Sequence, residues 1–529
     1  MTFRDFHLPG RSPVFAREGM AATSHPLATF AAIETLKAGG TAADAAIAAV
    51  ATLCVVEPAM TGIGGDCFCL VAKPDAPVWG YNGSGRAGSN ASAEKLRANG
   101  IAHKIAATSP HAVTVPGAIE AWEAILKAHG RFGLDRALAP AIRYAEDGFP
   151  IAPRVAWDWA GVVDKLAPHA GSQKYYLVNG AAPELGRVMR FPALAATLKA
   201  IAKGGAKAFY EGDIAADIVA TVQAAGGDLV ADDLARHKGN VVTPISTNYR
   251  GLDVVELPPN GQGLTALVLL NILENFDLAK LDPLGAERYH LALEAARLAF
   301  GVRDTHIADP AFMREPVAGL LDKGFAKKLS ALLNPDKRVP LPKAPAPTSD
   351  TIYMTVVDRD RTAVSIINSL YSVFGTGICT EKTGIMLHNR GTGFVTEAGH
   401  PNEIAPDKRP MHTIIPALAM RGGRCVMPFG VMGADYQPMG HASLITNIVD
   451  YGMDIQQAID APRVFFVGET TEIEHGVSAQ AAESLKARGH NVVLRPAPHG
   501  GGQAIQIDWD RGLLIGGSDP RKDGCALGY

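Results

Sequence analysis

The chain of 529 residues predicts an α+β protein, and three observations carry that expectation. Residues 115–330 read mainly as helix. Beyond residue 350 the pattern changes to short strand-like segments separated by turns. Between them, residues 334–350 hold five prolines, which forbid helix and disfavour a central strand. That stretch is expected to be an exposed, mobile tether joining a helix-rich part to a strand-rich part.

The elements follow in order. Residues 26–38 suit a helix that stops at Gly39-Gly40, and Thr41 caps the next, which runs to about Val56 before Pro58. Its small side chains suit close packing against a sheet. Thr61-Gly62-Ile63-Gly64-Gly65-Asp66 then leads into a strand at Cys67–Val71. The run Ala286 to Phe300 illustrates the helical region, since it is rich in strong helix formers and free of Gly and Pro. Thr351–Asp358 reads as a strand, Arg359–Thr362 as a turn and Ala363–Ser369 as the returning strand of a hairpin. Further strands are expected at Gly384–Leu387, Thr413–Ala419, Arg424–Phe429 and Gln503–Asp508, with helices over 439–451 and 479–488. No internal repeat is evident.

Bulk properties exclude several function classes. A 47% hydrophobic, 19% charged composition is that of a folded globular chain rather than a disordered one. Fifty basic against 53 acidic residues leave a net charge of -3, with no basic excess to neutralise a nucleic-acid backbone. Cys54, Cys67, Cys69, Cys379, Cys425 and Cys525 are scattered without zinc-like spacing, so buried free thiols in a reducing compartment are expected and no metal is implied. The first residues lack the apolar stretch of a secretory signal. The longest small-apolar run, Ala45–Val56, is shorter than the roughly 18 residues of a membrane helix. A cytoplasmic location without membrane partners is the expectation. Gly62-Ile63-Gly64-Gly65 is followed by no Gly-Lys-Ser/Thr, so it suits close packing better than a phosphate cradle.

The chemistry points to Thr351. A threonine hydroxyl is a poor nucleophile at neutral pH and needs a nearby base. At a chain N-terminus it carries its own, an α-amino group with a pKa of roughly 8. Making that terminus requires a cut between Asp350 and Thr351, at the junction of the tether with a rigid strand. The Thr351 hydroxyl could itself attack the Asp350 carbonyl, giving an ester that water opens.

The order of segments then acquires a meaning. Gly19-Met20-Ala21-Ala22-Thr23-Ser24-His25-Pro26, Gly39-Gly40-Thr41-Ala42-Ala43-Asp44, Val56-Glu57-Pro58 with Gly62-Ile63-Gly64-Gly65, Val115-Pro116-Gly117, Leu257 to Gly263, and Tyr289-His290-Leu291 with Ala308-Asp309-Pro310 succeed one another in the first part. Thr351–Asp358, Phe374 to Ile378, Gly384 to Asn389, Lys408 to Thr413, Gly430 to Ala434 and Asp460 to Arg463 follow in the second. Over nearly its whole length the chain thus resembles the gamma-glutamyltranspeptidase (glutathione hydrolase) family.

The resemblance implies a four-layer αββα sandwich of the N-terminal-nucleophile hydrolase type. It implies a precursor cut into a large subunit, 1–350, and a small subunit, 351–529, which together form one unit, with a dimer of such pairs left open. No cofactor is implied. Thr351 falls on the family's nucleophile and Ser369 on a threonine that hydrogen-bonds it. Gly433 and Ala434 fall on the glycine pair whose N–H groups form an oxyanion hole, and alanine still supplies an N–H. The departures concern substrate. Ser84 stands where gamma-glutamyl-transferring members carry a carboxylate-binding arginine, with Arg86 displaced by two residues. Gly393 stands where they carry an aspartate for the α-amino group, and Tyr371 replaces an asparagine. His412-Thr413 replaces a serine pair.

The candidate substrate residues are therefore Arg86, Tyr371, Asn389, Arg390, His412 and Thr413. The chain looks closer to the acylase and oxamate amidohydrolase branch, with a small-molecule amide as substrate and water or an amine as acceptor. A glutathione-cleaving transferase, and an uncleaved binding protein on the same scaffold, are the competing expectations.

Overall fold

The computed structural model describes residues 7, 10–340 and 351–529. Asp350 and the proline-rich residues 341–350 lie outside the described residues. Two seven-stranded antiparallel sheets stack face to face. The first runs Val14–Ala16, Leu513–Ser518, Gly501–Asp508, Arg424–Met432, Ala417–Arg421, Leu252–Glu256, Ile245–Tyr249. The second runs Cys525–Gly528, Met20–Thr23, Ile352–Val357, Ala363–Ser369, Asp66–Ala72, Trp79–Gly83, Asn240–Val242. Helices Gly263–Leu273, Ala286–His306 and Gln437–Val449 cover the outer face of the first sheet. Helices Pro26–Lys37, Ala42–Val56 and Ala118–His129 cover that of the second. The result is an α+β sandwich of four layers, αββα.

Strand Ile352–Val357 explains how the layers hold. Side chains on a strand alternate between faces. Ile352, Met354 and Val356 enter the cluster beneath the helices, whereas Tyr353 and Val357 enter the cluster between the sheets. Both faces are buried, so a one-residue slip would drive Thr355 into the helix-side core and exchange every apolar contact. Burying each such apolar side chain contributes about 1.5–3 kcal/mol. Helix Ala42–Val56 is buried along its whole length; Thr41 accepts from the Asp44 N–H, and the Asp44 carboxylate accepts from the Thr41 N–H, closing its first turn reciprocally. Among the described residues no helix is long and apolar enough to cross a membrane.

Several expectations need correction. The part before the tether is not only helix-rich: among the described residues, seven of the fourteen strands of the two sheets precede residue 350. Ile245–Tyr249, Leu252–Glu256 and Asn240–Val242 lie inside the stretch read as mainly helical. Gly384–Leu387 forms no strand, only isolated bridges at Met386 and Leu387. The strand expected over 413–419 is Ala417–Arg421. The described end of the proline-rich stretch is docked rather than free. The Asn334 carbonyl meets His290 Nε2 at 2.7 Å, and the Val339 N–H donates to Glu294 at 3.0 Å.

Burial also fixes an acid response. Desolvation lowers His25 to about 4 and His412, His441 and His490 to about 3. These rings are neutral in the fold, whereas the unfolded chain takes up protons below about 6.5. The unfolded state therefore binds more protons in that window, and stability falls as pH drops through it. Glu57, pushed up to about 7, and Glu256, raised by its burial, act oppositely, but burial also lowers His129, His237, His388 and His499, so the histidines outnumber them. The thermal midpoint should be lower at about pH 5 than at about pH 7.5, as read by circular dichroism.

Candidate active site

The site begins as a row of side chains across one end of the second sheet. Ile352 pairs with Asn368, so Thr351 stands opposite Ser369, which in turn pairs with Asp66. Alternation directs all three toward the space between the sheets, the side occupied by Tyr353, Ile367 and Phe68. Thr351, Ser369 and Asp66 are fully buried. The Thr351 and Ser369 hydroxyls are 3.0 Å apart. Ser369 Oγ also accepts the Tyr371 N–H at 2.8 Å, which fixes its orientation.

Glycines allow this crowding. A Cβ on Gly65 would lie 2.3 Å from the Ser369 carbonyl oxygen, and one on Gly64 would lie 2.2 Å from that of Met386. The Gly62–Gly65 run therefore brings two chain segments against the site, as its composition led us to expect.

On the facing sheet, Gly430 packs against the Tyr353 ring, and its strand Arg424–Met432 ends in a turn. Gly433 has φ +122° and Ala434 φ +47°, so both lie in the left-handed region, which is strained for alanine. Neither N–H donates to another loop or turn carbonyl among the described residues. The turn is clamped by Gln262, whose amide donates at 2.8 Å to both the Ala434 and the Thr413 carbonyls. Arg303 in turn donates to Gln262 Oε1 at 2.9 Å and to Asp435 at 2.5 Å.

A buried charge cluster lies beside the row. Asp66 accepts from the Gly85 and Gly117 N–H groups at 3.1 Å each and from His412 Nε2 at 3.0 Å. Burial opposes its charge, yet the neighbouring His388, the His412 hydrogen bond and Arg390 outweigh that and hold the carboxyl well below the usual range. His412 Nδ1 accepts from the Ile414 N–H, which requires the neutral tautomer protonated on Nε2.

Arg390 is fully buried, and that burial lowers it to about 10. Its Nη1 donates to Thr413 Oγ1 at 2.8 Å, and its guanidinium lies 4.2 Å from the centroid of the Tyr371 ring. Its Nε and Nη2 have no hydrogen-bond partner among the described residues. Tyr371, with φ +73°, joins the two parts: its N–H reaches Ser369 and its ring covers Arg390. The ring also borders a cavity of about 400 Å³, together with Gly393, Phe394, Met411 and Asp435.

The structure thus brings Thr351, Ser369, Tyr371, Arg390, His412 and Thr413 into one contiguous network, with the Gly433–Ala434 turn clamped to Thr413. Asn389 supports it from behind, accepting from the Ser372 N–H at 3.0 Å and donating to the Ala107 carbonyl at 2.9 Å. Arg86 stands apart: its side chain is 40% exposed and engages Asp309 at 3.3 Å and the Asp407 carbonyl at 2.8 Å. Gly393 admits no side chain, because a Cβ there would meet the Met411 carbonyl oxygen at 2.3 Å. Sequence reasoning missed Asp66, Gln262 and Arg303. A lone carboxylate opening an otherwise apolar strand was the available signal for Asp66. Nothing local marks the other two.

A buried hydroxyl held against a second hydroxyl, with a left-handed N–H turn and an arginine that has two donors left over, is an arrangement suited to acyl transfer. Comparison with known proteins agrees. The family model described as Gamma-glutamyltranspeptidase matches residues 28–529. The chain is 39% identical over 526 residues to the Glutathione hydrolase-like YwrD proenzyme of Bacillus subtilis (strain 168), covering 97% of this chain and 99% of that protein. It is 35% identical over 525 residues to the Oxamate amidohydrolase proenzyme of Klebsiella pneumoniae, covering 97% and 98%. The crystal structure of cephalosporin acylase from Bacillus halodurans superposes with a TM-score of 0.94 at 38% identity, covering 100% of this chain and 99% of that one.

Proposed function

The chain belongs to the gamma-glutamyltranspeptidase family of hydrolases and acylases, and from that premise we propose that it is a self-processing amidohydrolase with Thr351 as its nucleophile and a small anionic acyl group as its substrate. The 3.0 Å contact between the Thr351 and Ser369 hydroxyls is the observation that carries this reading. Relatives named as proenzymes support the processing step.

In that step Thr351 Oγ1 attacks the Asp350 carbonyl, the peptide C–N bond breaks, and water opens the resulting ester. The large subunit then ends at Asp350, and the small subunit begins with the Thr351 α-amino group. In turnover that amine accepts the Oγ1 proton as Oγ1 attacks the substrate carbonyl, whose oxygen gains negative charge against the Gly433 and Ala434 N–H groups. The proton passes to the departing amine, the amide C–N bond breaks, and an acyl ester on Thr351 remains. Water resolves the ester, or an amine does so in transfer.

Arg390 supports the acyl assignment. A buried guanidinium with two unpaired donors is costly unless an anion completes it. A carboxylate next to the scissile carbonyl, as in oxamate, supplies that anion. Tyr371 and Thr413 orient the guanidinium, and Asp66 with neutral His412 balances its charge. A γ-glutamyl head also needs a carboxylate for its ammonium, and the close packing at Gly393 leaves no room for one there. Turnover of the matured protein on oxamate, glutaryl amides and γ-glutamyl anilide tests the assignment. Oxamate or another small anionic amide should be preferred, and preference for the γ-glutamyl anilide contradicts it.

The clamp yields a further expectation. Gln262→Ala should lower kcat by about 10–100-fold with little change in KM, since misaligning an oxyanion donor acts on the transition state. Steady-state kinetics on the preferred amide checks this.

A further inference from the structure

A second cavity, of about 630 Å³, opens on the other side of the same turn. Gly433 borders it, whereas Asp435, two residues on, borders the 400 Å³ cavity. Likewise Val373 borders the larger cavity and Tyr371 the smaller. The two loops that frame the reacting centre therefore form a partition between two chambers. A carbonyl whose oxygen points at the Gly433 and Ala434 N–H groups has two other substituents, which diverge. Tyr371 lines the smaller chamber and its ring covers the Arg390 guanidinium, so the acyl group takes that side and the amine takes the side of Gly433.

The larger chamber has its own chemistry. Its floor is aromatic: Tyr436 stacks on His499 with centroids 5.0 Å apart and meets Phe465 edge-on at 5.5 Å. Its wall carries Trp157, which is 53% exposed, with the Arg154 guanidinium 4.8 Å from the centroid of its ring. The charges at its rim are matched: Arg154 pairs with Asp158 at 2.9 Å, and Arg495 with Glu472 at 3.0 Å. A chamber with an aromatic floor, an open indole and no unmatched charge favours a neutral aromatic group.

We propose that this chamber receives the amine half of the amide and, through Trp157, selects aromatic amines. The inference rests on the reading of Thr351 as the attacking group. It assigns the leaving amine, and any acceptor amine that resolves the ester, to one site. An amine arriving there gives up its proton to the Thr351 α-amino group as its nitrogen attacks the ester carbonyl, and that proton passes to Oγ1 as the C–Oγ1 bond breaks.

The test compares two amides of one acyl group, one releasing ammonia and one releasing aniline; for an oxalyl group these are oxamate and oxanilate. Trp157→Ala should lose about tenfold in kcat/KM on oxanilate and keep the wild-type value on oxamate. Ala160→Trp, which narrows the chamber from the same wall, should show the same selectivity. Equal losses on both amides, or none on oxanilate, overturn the proposal. Calorimetric titration of aniline into Thr351→Ala protein, with and without Trp157→Ala, separates the two readings. Aniline binding that requires Trp157, in a protein whose wild type hydrolyses neither these two amides nor the glutaryl and γ-glutamyl amides, sinks the Thr351 reading and leaves the chamber standing. Aniline binding indifferent to Trp157 sinks the chamber.

Discussion

Thr351→Ala protein should remain one uncut polypeptide and lose at least about 10⁴-fold in turnover, the scale seen when an attacking group is removed. The effect is large because one hydroxyl serves twice, first against the Asp350 carbonyl and then against substrate. The fold should survive. The substitution removes a methyl group and one hydrogen bond, that to Ser369, a loss of about 1–2 kcal/mol. A near-wild-type circular dichroism spectrum alongside a single gel band would therefore separate chemistry from misfolding. Thr351→Ser keeps the hydroxyl and should still process, more slowly, because the β-methyl that restricts χ1 is gone.

Arg390→Gln should lower kcat/KM by about 10²–10³-fold on an anionic amide and much less on a neutral amide of similar size. Truncating one member of a buried charge pair costs about 2–5 kcal/mol, and the substrate carboxylate would be left without its partner. Arg390→Lys should recover only part of the loss, since an ammonium cannot donate to Thr413 and to a carboxylate in the planar geometry of the guanidinium. If Arg390 served only to support Tyr371, both substrates would suffer equally. The dependence of the ratio on acyl charge is the discriminating readout.

The hairpin Ile352–Val357 with Ala363–Ser369 was legible from local pattern, as was helix Ala42–Val56 with its Thr41 cap. In each case the signal lies within a few residues: strand-like segments around a polar turn, or a cap before an alanine run. Strands Ile245–Tyr249 and Leu252–Glu256 were not legible. Leu252–Glu256 gains its place by pairing with Ala417–Arg421, more than 150 residues away, and Ile245–Tyr249 pairs in turn with Leu252–Glu256 at the edge of the sheet; the strands are five residues each, and the outer one is polar and partly exposed, which leaves little local signal. Gly384–Leu387 shows the converse. Its apolar residues are buried, but they serve loop packing against Gly64 instead of a ladder.

The site divides in the same way. Thr351, Ser369 and the Gly433–Ala434 turn could be named from the order of segments. The role of Gln262 could not, because it depends on three loops meeting: those carrying Gln262 itself, Thr413 and Ala434. Arg86 and Arg390 looked alike in sequence. Burial and hydrogen bonding distinguish them, one engaged at the surface by Asp309 and Asp407, the other enclosed with donors left over.

The most direct measurement is intact-mass spectrometry of purified, catalytically active protein, followed by N-terminal sequencing of each component. The account predicts two polypeptides, the smaller beginning at Thr351. Full activity residing in one unbroken chain would contradict it.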